Sequence, residues 1–176
     1  MSYAFDGVAG SFLSIADDLG ITTNPVCIFA WMKLDSDPTG WAAPGVSLMF
    51  ANTTSVYMQG YISNTTGMMR ADVKETANVS SPYSASALPL STWMPVFIID
   101  DGSGYPRYVS DVDDNTGVSS SGAWITNSSP SFYIGGRGQY SDRSIAGKLA
   151  HVTVLDNVPT SGAIPTWIAC LPAPRP

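Results

Sequence analysis

The chain has 176 residues, enough for one domain that buries roughly 70% of the surface its unfolded form would expose. Hydrophobic residues make up 44%, which excludes wholesale disorder, while charged residues are only 12%, about half the usual share. The net charge is −6 and Lys and Arg never cluster, so the basic patch that a phosphate backbone demands is missing and nucleic acid is excluded as a partner.

Met1 runs straight into strand-like sequence without a charged and apolar leader, so synthesis is expected in the cytoplasm with no secretory signal. Val26–Leu34 reads as a central strand covered on both faces, because its apolar residues run on without alternation. Val26–Met32 is the longest apolar run and is far too short to span a bilayer, so no membrane insertion is expected. Strands are then predicted at Val46–Ala51, Ser55–Ser63 and Met68–Glu75, separated by the turns Asn52-Thr53-Thr54 and Asn64-Thr65-Thr66-Gly67. In the middle strand Val56, Met58 and Ile62 share one face and Tyr57, Gln59 and Tyr61 the other. Met69, Ala71 and Val73 likewise oppose Arg70, Asp72 and Lys74, the pattern of a half-solvated strand.

Asp101-Gly102-Ser103-Gly104 and Asp114-Asn115-Thr116-Gly117 have the composition of two further hairpin turns. Towards the C-terminus Ala150, Val152 and Val154 oppose His151 and Thr153. Val158–Leu171 is broken by proline and leaves room for one helical turn around Thr166–Ala169. Residues 1–171 are thus expected to form a single all-β sandwich, followed by a stiff, proline-rich tail at 172–176. A fixed tail would need something to hold it, such as a neighbouring subunit.

Five blocks occur in a telling order: Tyr3–Gly7, Phe12–Ala16, Phe29–Leu34, Trp93–Asp100 and Ile145–Asp156. With Tyr133-Ile134-Gly135-Gly136 before the last of them, the chain resembles the laminin-G-like, or concanavalin A-like, superfamily from Tyr3 to Ile168. The resemblance implies an antiparallel two-layer jelly-roll sandwich used mainly for binding and assembly. Two positions depart from the family pattern: Met94-Pro95 follow Trp93 where a histidine is usual, and Arg107-Tyr108-Val109-Ser110-Asp111 replaces the usual L-Y-V-D-G strand. Family ligand sites are therefore not carried over.

Catalytic constellations are sparse. Glu75 is the chain's single glutamate, and Asp72, three residues before it, falls on the opposite face of a strand, so the pair that glycoside cleavage needs does not form. His151 is the single histidine and no Gly-x-Ser-x-Gly elbow accompanies it, which favours a structural histidine on a sheet face. One histidine and two distant cysteines, Cys27 and Cys170, do not make a zinc site; their spacing leaves a bridge open, and two separate buried thiols are the simpler reading. Gly135-Gly136-Arg137-Gly138 lacks the helix of a phosphate loop and reads as a strand end. Asp111, Asp113 and Asn115 match the opening of a calcium loop, but Gly122 stands at its closing position, so they form a weak calcium candidate and no other cofactor is indicated. The sequons at Asn52, Asn64, Asn78 and Asn127 read as polar turns.

Trp31 and Trp93 belong to strand blocks and read as core. Trp41 and Trp124, in loop-like stretches, are candidates for contact with a partner or a glycan, together with Tyr105, Tyr140 and Arg137. The leading expectation is a non-enzymatic structural module on a virion surface, decorating a capsid or a head or tail, that binds major capsid or tail subunits and assembles as a homo-oligomer. The alternative is a lectin-like adhesion module that recognises surface glycans.

Overall fold

The computed structural model describes residues 2–8, 10–15, 26–51, 57–74, 79–80, 83–100, 107–110, 114–116, 131–137, 144–157, 164–170 and 174. Its strands are β1 (Ser2–Asp6), β2 (Leu13–Ile15), β3 (Val26–Leu34), β4 (Gly45–Ala51), β5 (Tyr57–Ile62), β6 (Met69–Lys74) and β7 (Val79–Ser80). They continue as β8 (Met94–Asp100), β9 (Arg107–Ser110), β10 (Asp114–Thr116), β11 (Ser131–Ile134) and β12 (Ala146–Leu155), before a short helix, α1 (Ile164–Cys170). Two six-stranded antiparallel sheets result: the first in the order β1-β12-β3-β8-β9-β10, the second β2-β11-β4-β5-β6-β7. The all-β, two-layer expectation holds, and α1 lengthens the helical turn expected at Thr166–Ala169. Among the described residues no helix is long and apolar enough to cross a membrane.

The layers meet over a core to which the central strands of each sheet contribute alternate residues. From the first sheet come Val26, Ile28, Ala30, Met32 and Leu34 of β3 with Val96 and Ile98 of β8. The second sheet contributes Leu48, Met58, Ile62, Met69, Ala71, Val73, Phe132 and Ile134. β3 is buried on both sides, as its unbroken apolar run requires. Its other face carries Cys27, Phe29 and Trp31, which join Phe97, Ile99 and Ala150 in a second cluster packed by Trp93, Leu155 and Ile168 of α1. The Phe29 and Phe97 rings sit 4.6 Å apart between centroids. Trp31 and Trp93 thus serve as core, although they pack on the outside of the first sheet.

Three local expectations change. Ala150 does not share a face with Val152 and Val154: the β12–β3 register shifts between Ala150 and Thr153, and His151 has φ of 51° there. An extra residue at such a bulge reverses the phase of a strand, so Ala150 packs outward while Val152 and Val154 return to the interlayer core. His151 itself is exposed on the sheet. Asp114, Asn115 and Thr116 are not a turn; they pair with Val109, Tyr108 and Arg107 as β10, because the chain reverses before them. The outer side of β6 is solvated at Arg70, 27% exposed, and buried at Asp72, so the half-solvated pattern holds only in part.

The turn at Asn64–Gly67 forms as expected. The Ser63 hydroxyl accepts from the Thr65 and Thr66 amides at 3.2 Å each, and Gly67 closes it with φ of 67°. Asn64 donates from Nδ2 to the Trp41 carbonyl at 3.3 Å, which makes this sequon a structural turn residue. The turns expected at Asn52–Thr54 and Asp101–Gly104 and the sequons Asn52, Asn78 and Asn127 lie outside the described residues. Cys27 is buried and Cys170 exposed, both as free thiols, so only one of the two is sequestered. Desolvation pushes the Cys27 thiol up to about 12.

Candidate functional site: the outer face of the second sheet

The hairpin β5–β6 sets the centre of this face. Its register pairs Gln59 with Asp72 and Tyr61 with Arg70, and because Met58, Ile62, Met69, Ala71 and Val73 fill the core, these four point outward. Tyr57 and Tyr61 flank Gln59 at two-residue spacing on β5. From the neighbouring strands Val46 and Tyr133 join Tyr57 and Tyr61 in one cluster. Tyr133 also meets the Phe12 ring edge-on, 6.0 Å between centroids. Beyond β6 the chain returns, and Tyr83 forms an isolated antiparallel bridge with Arg70.

Polar side chains are wedged among these rings. The Arg70 guanidinium lies 4.1 Å from the Tyr61 ring centre and 5.7 Å from that of Tyr83. It donates from Nη1 to the Tyr83 hydroxyl at 3.2 Å. Its Nε is 2.8 Å from Asp72 Oδ1, an ion pair by distance although the N–H is not aimed for a hydrogen bond. Burial disfavours the Arg70 charge, but the Asp72 carboxylate and the hydrogen-bonded Tyr83 hydroxyl, with a smaller part from Tyr61, outweigh it and raise its pKa. Gln59 donates from Nε2 to Asp72 Oδ2 at 3.1 Å. The carboxylate thereby fixes which way the amide faces, and leaves the buried Gln59 Oε1 without a hydrogen-bond donor. A second guanidinium, Arg137, lies 4.4 Å from the Tyr57 ring centre and is only 4% exposed.

Exposure is graded across the face. Gln59 and Asp72 are at most 2% exposed, the Arg70 side chain 27% and Tyr83 47%, with Tyr61 and Tyr133 in between. A ligand would therefore meet Tyr83, Arg70, Tyr61 and Tyr133 first.

Of the residues expected to make contacts, Arg137 belongs to this face but is buried against Tyr57. Trp41 is elsewhere and packs half-buried on the core: its Nε1 donates to Ser36 Oγ at 2.9 Å, and its ring fills the space a Cβ on Gly45 would need. It borders a cleft of about 190 Å³ with Asp6, Ser36 and Ser144. Trp124, Tyr105, Tyr140, Asp111 and Asp113 lie outside the described residues, and Asn115 sits in β10 opposite Tyr108. Among the described residues no three His, Cys, Asp or Glu side chains gather where they could hold a metal ion. The expected contact set named none of Tyr57, Gln59, Tyr61, Arg70, Asp72, Tyr83 and Tyr133, although the alternation of β5 and β6 had already turned five of them outward.

Two layers of antiparallel strands, one with an apolar outer face and one with a tyrosine-rich polar face, define a lectin-type sandwich scaffold. A laminin-G-type model of the concanavalin A-like lectin/glucanases superfamily matches residues 6–164, and the chain belongs to that superfamily. A native heptameric SAP-like pentraxin from Limulus polyphemus superposes with TM-score 0.73 at 13% identity, covering 96% of this chain and 82% of its own. The CBM40 of a Ruminococcus gnavus IT-sialidase, bound to α2,3-sialyllactose, gives 0.70 at 12% identity with coverage of 95% and 97%. Domain 4 of an extracellular arabinanase from Geobacillus stearothermophilus, in complex with arabinotriose, gives 0.73 at 12% with coverage of 93% and 74%. At these identities the likeness is one of fold. Among curated protein sequences none matches the chain.

Proposed function

We propose that the protein is a non-catalytic, lectin-like module that binds carbohydrate on the outer face of its second sheet. The observation that carries this reading is the gathering of Tyr57, Tyr61, Tyr83 and Tyr133 around Arg70, Gln59 and Asp72 on one sheet face. Tyrosine rings offer flat apolar area to the C–H faces of a sugar, while amide and guanidinium groups between them exchange hydrogen bonds with hydroxyls. Two of the similar structures hold oligosaccharides, which supports the same use of this scaffold here. A hydrolytic role gains nothing from Asp72, whose two oxygens are engaged by Arg70 and Gln59.

Glycan-array screening followed by titration calorimetry tests the proposal. Tyr61→Ala and Tyr83→Ala are expected to weaken binding at least about tenfold, the loss of one stacking ring of roughly 1.4 kcal/mol. Trp41→Ala, away from the face, leaves the affinity of the folded protein unchanged. An array without a single bound glycan would sink the reading.

Use on a virion surface, bound to capsid or tail subunits as a homo-oligomer, is a separate proposal. Its premise of a fixed proline tail rests on residues 172–176, of which Pro174 alone is described, as half-buried. Light scattering of the purified chain, with and without residues 172–176, tests it: a monomer in both forms that binds no virion shell counts against it.

A further inference from the structure

Building on the carbohydrate reading, we propose that the favoured ligand is an acidic saccharide, whose anionic group is taken by Arg70 between Tyr61 and Tyr83. The chain carries 14 Asp and Glu against 8 Lys and Arg. Two of those few cations, Arg70 and Arg137, nevertheless come to this one face, where the described carboxylate is Asp72. An acidic protein that brings two guanidinium groups to its aromatic face places cationic donors there against its net charge.

Arg70 is held ready for this role. Tyr61 stacks on its guanidinium, Asp72 sits at Nε, and the Tyr83 hydroxyl takes one Nη1 proton. A guanidinium has five N–H donors in a fixed plane. Among the described residues no acceptor besides Asp72 and Tyr83 meets these donors, and the side chain is 27% exposed. Two parallel N–H groups match two oxygens of a carboxylate or a sulfate, a match that a lysine ammonium does not reproduce. Asp72 acts as a positioning residue: it offsets part of the Arg70 charge, and it fixes the fork so that less rotamer entropy is lost on binding. Arg137, buried beside Tyr57, adds field without touching the ligand. Next to the fork, the buried Gln59 Oε1 lacks a donor among the described residues, a place that a bridging water would fill.

The test compares three probes on the full chain: α2,3-sialyllactose for a carboxylate, a sulfated lactose for a sulfate, and lactose as the neutral control. The expected result is that one or both acidic probes bind at least about tenfold tighter than lactose, and that the margin shrinks between low and high salt. The probe that gains more identifies the anionic group. Arg70→Lys is expected to remove that margin by weakening the acidic probes several-fold more than it weakens lactose, and Arg70→Gln does the same if the lysine variant folds poorly. Equal affinities for acidic and neutral probes, with both variants silent, overturn the acidic preference and leave the carbohydrate reading standing. No binding to these probes or to any neutral glycan overturns both.

Discussion

The outer faces of the two sheets are built by the same alternation and end in opposite states. On the first sheet Cys27, Phe29, Trp31, Phe97 and Ile99 make a second apolar cluster, over which Trp93 and Ile168 of α1 close. On the second, Tyr57, Gln59, Tyr61, Arg70 and Asp72 occupy the equivalent outward positions and grade from buried to exposed. Burial of the first face yields stability because apolar area leaves water without polar groups to satisfy. The second face keeps polar and aromatic groups open to water, the Arg70 side chain at 27% and Tyr83 at 47%, and such a surface is better suited to exchanging partners than to holding the fold. The contrast is a division between layers: one sheet is sealed, and the other keeps the polar and aromatic groups on which the proposed recognition rests.

That contrast is open to attack, beginning with the largest expected effect. Phe29→Ala should cost about 3–5 kcal/mol in urea unfolding, the loss of a fully buried ring tilted against Phe97 at 4.6 Å between centroids, and leave the affinity of the folded protein for a glycan intact. A cost below about 1 kcal/mol would mean that the first face is not sealed.

The Cys27 thiol reports the same dryness through pH. Its ordinary pKa of 9.0 is raised to about 12 in the folded state by burial, so above pH 9 the unfolded chain gives up this proton while the folded chain keeps it. Stability is therefore fully present below about pH 9 and declines towards pH 12, by up to about 1.4 kcal/mol per pH unit from this group. Cys27→Ala should flatten that part of the pH profile, measured against the parent protein. In the native protein a thiol reagent should label the exposed Cys170 and spare Cys27.

The smallest stability effect belongs to the other layer. Tyr83→Phe removes a hydroxyl that accepts from Arg70 on a side chain 47% exposed, and should shift stability by no more than about 0.5 kcal/mol. Thermal unfolding measures this directly. A larger loss would turn the tyrosine face from a recognition surface into a structural one and blur the distinction between the sheets.

Much of this face was legible in the residues. The period-two pattern of β5 and β6, with the Asn64–Gly67 turn between them, places Tyr57, Gln59 and Tyr61 on the side of Arg70 and Asp72. Tryptophans in loop-like stretches carry the stronger local signature of a contact residue. Trp41 turned out to be a packed residue, its indole bonded to Ser36 and seated over Gly45. Tyr83 and Tyr133 were not legible, since one reaches Arg70 through a returning segment and the other through pairing of β11 with β4. Such partners are set by non-local pairing, which local composition does not encode. The same holds for the bulge at His151, where one extra residue reversed the phase of β12.

From the sequence by itself followed the strand periodicity and the buried character of β3, because apolar spacing and turn chemistry are local properties of a chain, while the superfamily followed from the resemblance of its ordered blocks. The tertiary structure alone decided that α1 would close one outer face and that Tyr83 would return to Arg70 on the other. Those outcomes depend on which segments distant in sequence come to share a surface, and only the packed layers determine that.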